Sequence, residues 1–343
     1  MTLRDEILEQ PQVVERLLER GAEPIATLAE EVRRRRIPYV IMAARGSSDH
    51  AAVYGQYALG VQAGMSVALA TPSVLSRYGA RPDMHAALVI GVSQSGRSPD
   101  VVGVLTEARR QGALTAAITN DPNSPLAETA EHVLPLGAGP ELAVAASKTY
   151  TAQLMTVAML AATLAADGGA ATRELAGVPA AMRRALESEA RAEELAWAHR
   201  SMTSCVVLGR GYNLATALEW ALKLKELASV LAHAYSTADF EHGPVASLDP
   251  GSALLAVSAE GPMAADLATL AERLISERGA RVLALSGTPL PGAEQLPFPD
   301  ELPEWLSPLT AIVPAQLFCY HLTLAKGLST EAPRGLHKVT LTN

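Results

Sequence analysis

The chain has 343 residues, which is long for one domain and sufficient for two. Hydrophobic residues make up 49% of it and charged residues 19%, so sizeable cores can be buried. The formal net charge of -8 argues against nucleic acid as a partner, because such binding needs concentrated lysine and arginine. The one basic run, residues 33–36, fits the end of a helix, where cations complement the helix dipole.

Signals for targeting and compartment are few. The two cysteines, Cys205 and Cys319, lie far apart in apolar segments, so we expect no disulfide, no metal site and a reducing compartment. The charged N-terminus lacks the apolar stretch of a signal peptide. The most lipid-like stretch, 154–166, is shorter than the roughly 20 residues of a membrane span. We therefore predict a cytoplasmic protein with no membrane partner.

The first half of the chain alternates short apolar runs with helix-like segments. Residues 3–36 are interpreted as two helices broken near Gly21, with charges outside. The predicted strands that follow are 39–44, 66–69, 87–92, 114–118 and 133–136, with helices between them. A long helix over 147–166 precedes a boundary at Asp167-Gly168-Gly169, and a charged helix is predicted over 172–200. This alternation predicts an α/β fold, a parallel sheet with helices on both faces.

The pattern then repeats at a constant offset of 165 residues. The run ending at Arg210-Gly211 matches the one ending at Arg45-Gly46, and Ser258 to Gly261 matches Ser93 to Gly96. One offset at two strand–turn–helix junctions predicts two copies of one unit. Glu260 stands where the first copy has Ser95, and a carboxylate there repels an anion. We expect only the first copy to bind an anion.

The most informative stretch is the loop Ser93-Gln94-Ser95-Gly96-Arg97-Ser98. It follows the buried run 87–92, and Ser98 with Pro99 is typical of a helix N-terminus. Backbone N–H groups and the positive end of the helix dipole converge on such a turn, so it favours an anion. Taken alone, the loop fits an ordinary capped turn as well.

A second loop, Gly46-Ser47-Ser48, also places hydroxyls after a predicted strand. Ligands of open parallel sheets bind at the carboxyl ends of the strands, so the two loops together suit one phosphate monoester. The nucleoside triphosphate motif G-x-x-x-x-G-K-[ST] is missing from the sequence. A sugar phosphate is the predicted ligand.

These motifs resemble those of the SIS (sugar isomerase) domain, and the chain resembles the double-SIS isomerase half of glutamine–fructose-6-phosphate aminotransferase. The resemblance covers nearly all of the chain and rests on the serine-rich loop together with Ala138-Gly139-Pro140-Glu141, Ser147-Lys148, Leu222 to Glu226, Glu241-His242-Gly243-Pro244 and Pro333-Arg334. It implies two tandem SIS domains, each a flavodoxin-like, three-layer αβα unit. The expected divisions are N-terminal helices over 1–36, SIS domains over 37–168 and 169–330, and an active-site tail over 331–343.

The resemblance also implies site residues. Phosphate is bound by Ser47, Ser48, Ser93, Gln94, Ser95 and Ser98, and the sugar by Gly46, Val144 and Ala145. Glu226 moves a proton between C1 and C2, and Lys223 is a second active-site residue. His242 opens the sugar ring from the neighbouring subunit of a homodimer, and Lys338 can form a Schiff base with a ketose. No cofactor or metal is implied.

Reasoning from the residues alone leaves these roles open. Lys223 and Glu226 are three apart on a predicted helix and share a face, which suits a base beside a cation. The same spacing fits a solvated charge stripe in which Glu219 pairs with Lys223. His242 precedes Gly243-Pro244 in a predicted turn, where a histidine is most often a surface residue, although a pKa near neutrality suits ring opening.

The chain departs from the aminotransferase pattern at several points, and its tail over 333–340 is looser than the tail of the synthases. It opens at Met1 without a glutaminase domain, so we expect it not to take ammonia from glutamine by itself. Arg97 replaces an acidic residue of the family and Ala146 replaces a serine. These changes bear on which sugar is recognised more than on the binding of its phosphate.

We therefore expect a glucosamine-6-phosphate deaminase that forms fructose 6-phosphate and ammonia. The alternatives are a synthase-like isomerase that uses free ammonia, a fructosamine-phosphate deglycase, and a non-enzymatic sugar-phosphate sensor. The sensor is the weakest of these, because the chain has no basic DNA-binding segment and keeps Glu226 and His242.

Overall fold

The computed structural model describes residues 2–166, 169–336 and 338. The described residues form two compact units. The first-sheet unit is formed within Gln12–Glu141, Lys148–Ala176 and His337–Asn343, and the second-sheet unit within Met1–Pro11, Leu142–Ser147 and Gly177–Leu336. The domain limits expected from the sequence stay predictions.

The first-sheet unit contains one five-stranded parallel sheet. Its strands are β1 (Tyr39–Ala43), β2 (Ser66–Leu69), β3 (Ala87–Val92), β4 (Leu114–Thr119) and β5 (His132–Pro135). They lie in the order β2-β1-β3-β4-β5. Every residue of β3 and β4 is buried, as expected of central strands covered on both faces.

Helices cover this sheet. They are α2 (Gln10–Arg20), α3 (Ala22–Arg35), α4 (Ser47–Ala63), α5 (Ser73–Ser76), α6 (Pro99–Arg110), α7 (Pro125–Thr129), α8 (Lys148–Leu164) and α9 (Gly169–Leu175). On one face of the sheet, Val104 and Leu105 of α6 pack against Val89 of β3 in a fully buried cluster. Truncating such a leucine to alanine costs about 2–5 kcal/mol of stability, so this cluster stabilises the strand and the helix that flank the serine-rich loop.

The second-sheet unit repeats this topology. Its strands are β6 (Ser204–Gly209), β7 (Leu231–Ser236), β8 (Ala253–Ser258), β9 (Arg281–Ser286) and β10 (Glu294–Pro297), all parallel. They lie in the order β10-β9-β8-β6-β7, which is the order of the first sheet when each unit is counted from its own first strand. The first strands begin at Tyr39 and Ser204, 165 residues apart. The predicted α/β fold with two flavodoxin-like copies is confirmed.

The second-sheet unit has its own helices. They are α1 (Leu3–Leu8), α10 (Val178–Leu186), α11 (Glu189–Ala198), α12 (Leu214–Ala228), α13 (Thr237–Glu241), α14 (Ala264–Arg278) and α15 (Ser307–Ala325). Leu270 and Leu274 of α14 pack on Leu254 of β8 and Val282 of β9 to form a core below the sheet. Trp220 of α12 meets Phe318 of α15 edge to face, with ring centroids 5.9 Å apart.

Two helical predictions were wrong. The N-terminal region forms three helices, with breaks at Glu9 and Gly21, and its charges are not all outside, since Glu6 is completely buried. The single helix predicted over 172–200 is three helices, α9 to α11. One break falls at Gly177, which precedes Val178-Pro179, because proline is tolerated only in the first turn of a helix. The other falls at Ser188, because serine favours helix caps and turns over the interior of a helix.

Among the described residues, one helical segment is long and apolar enough to cross a membrane, by length and composition alone. Glu304–Ala325 has 22 residues, and its most apolar window has a mean hydropathy of 1.2. Because 83% of that window is buried inside the protein, the segment has the character of a core helix. It is longer than the 154–166 stretch that the sequence pointed to. Neither segment is evidence of a membrane span.

Candidate active site

The predicted phosphate-binding loop, residues 93–98, joins β3 to α6 and is called the serine loop. Ser93 extends the sheet by donating its backbone N–H to the Ile118 carbonyl over 3.0 Å. Ser98 occupies the N-cap position with Pro99 as the first helical residue, as predicted, but its hydroxyl makes no cap hydrogen bond. Four predicted binding side chains therefore lie in one turn at the positive end of a 12-residue helix: Ser93, Gln94, Ser95 and Ser98.

The segment 119–126, which runs from the last residue of β4 into the first turn of α7, supports the serine loop through hydrogen bonds. The Asn120 N–H donates to the Gln94 carbonyl and the Leu126 N–H to the Gly96 carbonyl, each over 3.1 Å. Gly96 has a φ of +62°, and a Cβ built on it would lie 2.0 Å from Ser124 Oγ. Because the 119–126 segment takes these two carbonyls, they do not face an anion bound in the loop.

The second hydroxyl-bearing loop, Gly46-Ser47-Ser48, follows β1, the strand beside β3. Gly46 has a φ of +57°, and Ser47 begins α4. Ser48 is 9% exposed, and its hydroxyl accepts a hydrogen bond from Gln153 Nε2 over 3.0 Å. Neighbouring parallel strands thus bring the two predicted phosphate loops to one sheet edge.

An ion pair joins the two loops. Arg45 precedes Gly46, and its Nε donates to Asp100 Oδ2 over 2.7 Å in the first turn of α6. The Asp100 side chain is nearly buried, so Arg45 compensates a carboxylate that would otherwise oppose a bound anion. The second-sheet unit has a similar pair, Arg210 with Asp266, at 3.4 Å.

The second-sheet unit does not repeat the anion-binding features. Asn213, which corresponds to Ser48, is buried and donates from Nδ2 to Ser307 Oγ over 2.7 Å, while its Oδ1 accepts from Thr216. The backbone N–H of Glu260 donates to Asp300 Oδ2 over 2.6 Å, so two carboxylates lie close together here. Burial raises the pKa of Asp300. The packing role of Asn213 and this concentration of carboxylates support the prediction that only the first copy binds an anion.

Helix α12 carries Glu226, the predicted proton-transfer residue, and Lys223, the second predicted active-site residue. Lys223 Nζ lies 2.5 Å from Glu226 Oε2 and 3.4 Å from Glu219 Oε1. The Lys223 side chain is 3% exposed, Glu219 is fully buried and Glu226 is 24% exposed. Burial works against the charged lysine, but the carboxylates of Glu219 and Glu226 outweigh it and raise its pKa. The solvated charge stripe is therefore excluded, and Glu226 is the member of the group that reaches solvent.

The other predicted catalytic side chain of this unit, His242, is exposed. It ends α13, where its backbone N–H donates to the Asp239 carbonyl over 3.2 Å. The predicted turn is confirmed, and the action of His242 on a neighbouring subunit stays a prediction.

The predicted sugar-binding residues Val144 and Ala145 belong to the segment Leu142–Ser147. The buried carboxylate of Glu6, on α1, accepts hydrogen bonds from the backbone N–H groups of Leu142 and Ala143. Glu6 was not among the predicted site residues, because a carboxylate in a charged N-terminal helix gives no local sign that it will be buried.

The predicted Schiff-base residue, Lys338, lies in the first-sheet unit. Its Nζ is 2.9 Å from Oε2 of Glu141, whose side chain is completely buried. Glu141 also accepts hydrogen bonds from the backbone and hydroxyl of Thr149, over 3.1 and 2.8 Å. Glu141 was part of a motif in the sequence but had no assigned role. Residues 337 and 339–343 of the predicted active-site tail lie outside the described residues.

Within the described ranges 2–166 and 169–336, with residue 338, no three His, Cys, Asp or Glu side chains are grouped so that they could hold a metal ion. The chemistry that these groups offer is acid–base: an anion site, a carboxylate beside a buried ammonium, a histidine and a lysine.

Comparison with known proteins agrees with this arrangement. The family model described as "SIS domain" matches residues 35–163 and 200–326, one copy in each half of the chain. The chain is 34% identical over 338 residues to the isomerizing glutamine–fructose-6-phosphate aminotransferase of Methanothermobacter thermautotrophicus. That alignment covers 97% of this chain and 56% of the relative, so the chain spans about half the length of that enzyme.

Solved structures show the same fold over nearly the whole chain. A provisionally assigned phosphosugar isomerase from Silicibacter pomeroyi DSS-3 is 37% identical, with a TM-score of 0.88 over 96% of this chain and 99% of its own. The C-terminal domain of glucosamine-fructose-6-phosphate aminotransferase from Francisella tularensis has the same TM-score at 24% identity, over 96% and 98%. With two matched domains and two sheets of one topology, the chain belongs to the SIS domain family as a tandem pair of SIS domains.

Proposed function

We propose that this protein is a sugar-phosphate isomerase that interconverts fructose 6-phosphate plus ammonia with glucosamine 6-phosphate. The proposal is carried by the Glu226 carboxylate, which is half-buried and held 2.5 Å from the buried ammonium of Lys223 on α12. A carboxylate of this kind can transfer a proton between adjacent sugar carbons. The aminotransferase relative supports the identity of the sugars.

In this proposal the serine loop binds the phosphate and His242 assists ring opening. Ammonia adds to the C2 carbonyl of open-chain fructose 6-phosphate, and water leaves, which gives an imine at C2. Glu226 takes a proton from C1 and returns it to C2, while O1 loses its proton and the imine nitrogen gains one. The product is an aldehyde at C1 with an amine at C2, which is open-chain glucosamine 6-phosphate.

Lys223 has a positioning role in this step. It holds Glu226 Oε2 in a charge-assisted hydrogen bond, so Oε1 is the oxygen that we assign to the proton transfer. Glu219 is the second carboxylate that compensates the lysine's charge, and its side chain is fully buried.

The aminotransferase relative supports the synthase-like direction better than the deaminase activity expected from the sequence. Both run through the same intermediates, and they differ in whether ammonia is consumed or released. We propose free ammonia as the nitrogen source, a homodimer as the active form and a cytoplasmic location. The location is supported by two buried, free cysteines, Cys205 and Cys319.

The experiment measures both directions. The protein is incubated with fructose 6-phosphate and ammonium chloride, and glucosamine 6-phosphate is followed by mass spectrometry; ammonia release from glucosamine 6-phosphate is followed separately. We expect turnover in both directions, with equal activity in the control Lys225→Gln, whose side chain is exposed on the same helix. No turnover in either direction would overturn the proposal, and amino-acid release from a fructosamine phosphate would identify a deglycase instead.

A further inference from the structure

Asn120 lies between two groups of predicted site residues in the first-sheet unit. It follows β4 directly, and its backbone N–H donates to the Gln94 carbonyl of the serine loop over 3.1 Å. Its side chain turns to another segment: Oδ1 accepts from the Ala138 N–H over 2.9 Å, and Nδ2 donates to the Gly139 carbonyl over 2.8 Å. One residue thus makes three hydrogen bonds to two segments far apart in sequence.

The segment that Asn120 holds leads directly to Glu141. Residues 136–141 follow β5, and Leu136 is anchored by a bond from its N–H to the Thr119 carbonyl over 2.9 Å. Gly139 is exposed and has a φ of +68°. Beyond Leu136, the hydrogen bonds of the Asn120 side chain to Ala138 and Gly139 hold this turn. Two residues later, Glu141 pairs with Lys338 at 2.9 Å.

We propose that Asn120 is a positioning residue that couples the serine loop to the Glu141–Lys338 pair. This inference rests on the proposed function, because it gives the coupling a purpose: the phosphate, held by the serine loop, sets the placement of the groups that act on the sugar. Enzymes use binding energy from a non-reacting part of the substrate, here the phosphate, to orient the reacting centre. A side-chain amide suits the position, since it presents an acceptor and a donor side by side to the Ala138 N–H and the Gly139 carbonyl.

A substitution of the Asn120 side chain can separate the effect on phosphate binding from the effect on turnover. Replacing the side chain removes the bonds to Ala138 and Gly139 and leaves the backbone bond to Gln94 in place. Asn120→Ala is therefore expected to bind inorganic phosphate within about twofold of the wild type. Its kcat with the sugar phosphate is expected to fall about tenfold or more, in line with the loss caused by small misplacements of reacting groups. A merely structural role would lower the melting temperature without this division between phosphate affinity and kcat.

The control is Asn123→Ala. Asn123 lies in the same turn, is exposed, and takes part through its backbone N–H, which donates to Asp121 over 3.0 Å. We expect its kcat and phosphate affinity to match the wild type. Asn120→Asp keeps the acceptor for Ala138 and loses the donor to Gly139, so its kcat should lie between those of the wild type and Asn120→Ala.

A second measurement does not need turnover. The rate at which acetic anhydride labels Lys338 is determined by peptide mass spectrometry, with and without saturating inorganic phosphate. We expect Lys338 to be labelled several-fold faster in Asn120→Ala than in the wild type, and we expect phosphate to change the rate in the wild type and in Asn123→Ala but not in Asn120→Ala. The proposal is overturned if phosphate leaves the wild-type rate unchanged, or if Asn120→Ala responds to phosphate as the wild type does. Absence of wild-type turnover together with a normal labelling response would instead reject the proposed reaction and leave the coupling intact.

Discussion

Lys223 Nζ lies 2.5 Å from Glu226 Oε2, one turn apart on α12, with the lysine buried and the carboxylate partly open to solvent. The pair would be unremarkable on a surface, where such contacts contribute about 0–1 kcal/mol. Here the lysine is also 3.4 Å from the fully buried Glu219, so three charges share one helix face with little water. Burial of charges at such a cost is more typical of a functional site than of a stabilising one.

Glu226→Gln tests the base directly. The amide keeps the size of the side chain and cannot accept the proton, and Lys223 retains Glu219 as its partner, so the fold is expected to survive. Turnover should fall about 10²- to 10⁴-fold with little change in the affinity for fructose 6-phosphate. Steady-state kinetics and calorimetry give the two quantities. Retention of full turnover would remove Glu226 from the mechanism.

Ser95→Ala tests the phosphate site. The substitution removes one hydroxyl from the serine loop, and we expect the binding of fructose 6-phosphate to weaken by about 1.5–3 kcal/mol, the contribution of a hydrogen bond to a charged group. Binding of unphosphorylated fructose should be unaffected. Equal weakening of both ligands, measured by calorimetry, would contradict the assignment.

Gly96→Ala tests the support of the serine loop by the 119–126 segment. The new methyl group would be placed 2.0 Å from Ser124 Oγ, at a φ of +62°. Gly79→Ala is the matched control, since Gly79 has a φ of +64° with no heavy atom within 4 Å of the added Cβ. The control is expected to cost about 1–2 kcal/mol for the left-handed backbone. Gly96→Ala should cost a further 1–3 kcal/mol or so for overpacking, and it should weaken phosphate binding as well. Equal unfolding free energies for the two variants would show that the Ser124 side chain moves aside at little cost in stability.

Mixing two inactive variants tests the sharing of the site between subunits. If His242 acts on the neighbouring subunit, a heterodimer of Glu226→Gln and His242→Ala has one intact site. Random exchange of subunits should then restore roughly a quarter of the wild-type sites in a symmetric dimer. No recovery after exchange, verified by native mass spectrometry, would place His242 in the site of its own chain.

Glu189 gives a pH dependence that can be measured. The hydrogen bond from Arg4 Nε, at 2.7 Å, lowers the pKa of Glu189, and His321 contributes in the same direction. A carboxyl group with a lowered folded pKa stabilises the fold fully above its unfolded value, about 4.3, and this stabilisation is lost as pH falls through the folded pKa. The difference in unfolding free energy between the wild type and Glu189→Gln should therefore shrink below about pH 4.

The matched control for that series is Glu194→Gln, on the same helix. Glu194 is exposed and pairs with Arg191, so its replacement is expected to change little at any pH. Urea unfolding from pH 7 to pH 3 gives both curves. If the difference in unfolding free energy between the wild type and Glu189→Gln stays constant with pH, Arg4 does not act through the charge of Glu189.

The strands were predictable because their signal is local, and the repeat was predictable because it is periodic. Continuous apolar runs such as 87–92 predict buried strands wherever the rest of the chain packs, and the offset of 165 residues is a property of the sequence alone. The breaks in the region 169–198 were not predicted, since a charged, alanine-rich stretch gives a helical pattern whether it forms one helix or three.

The sequence by itself determined the α/β class, the two copies and the residue types at each strand end. Only the tertiary structure decided which charged groups are buried and which segments meet. Glu6, Glu141 and Glu219 are buried carboxylates whose partners are backbone groups or side chains that packing brings to them. Asn120 joins two loops through bonds that no spacing rule contains. The physical reason is that a hydrogen bond or ion pair depends on distance in space, which the sequence fixes only through the packing of the whole unit.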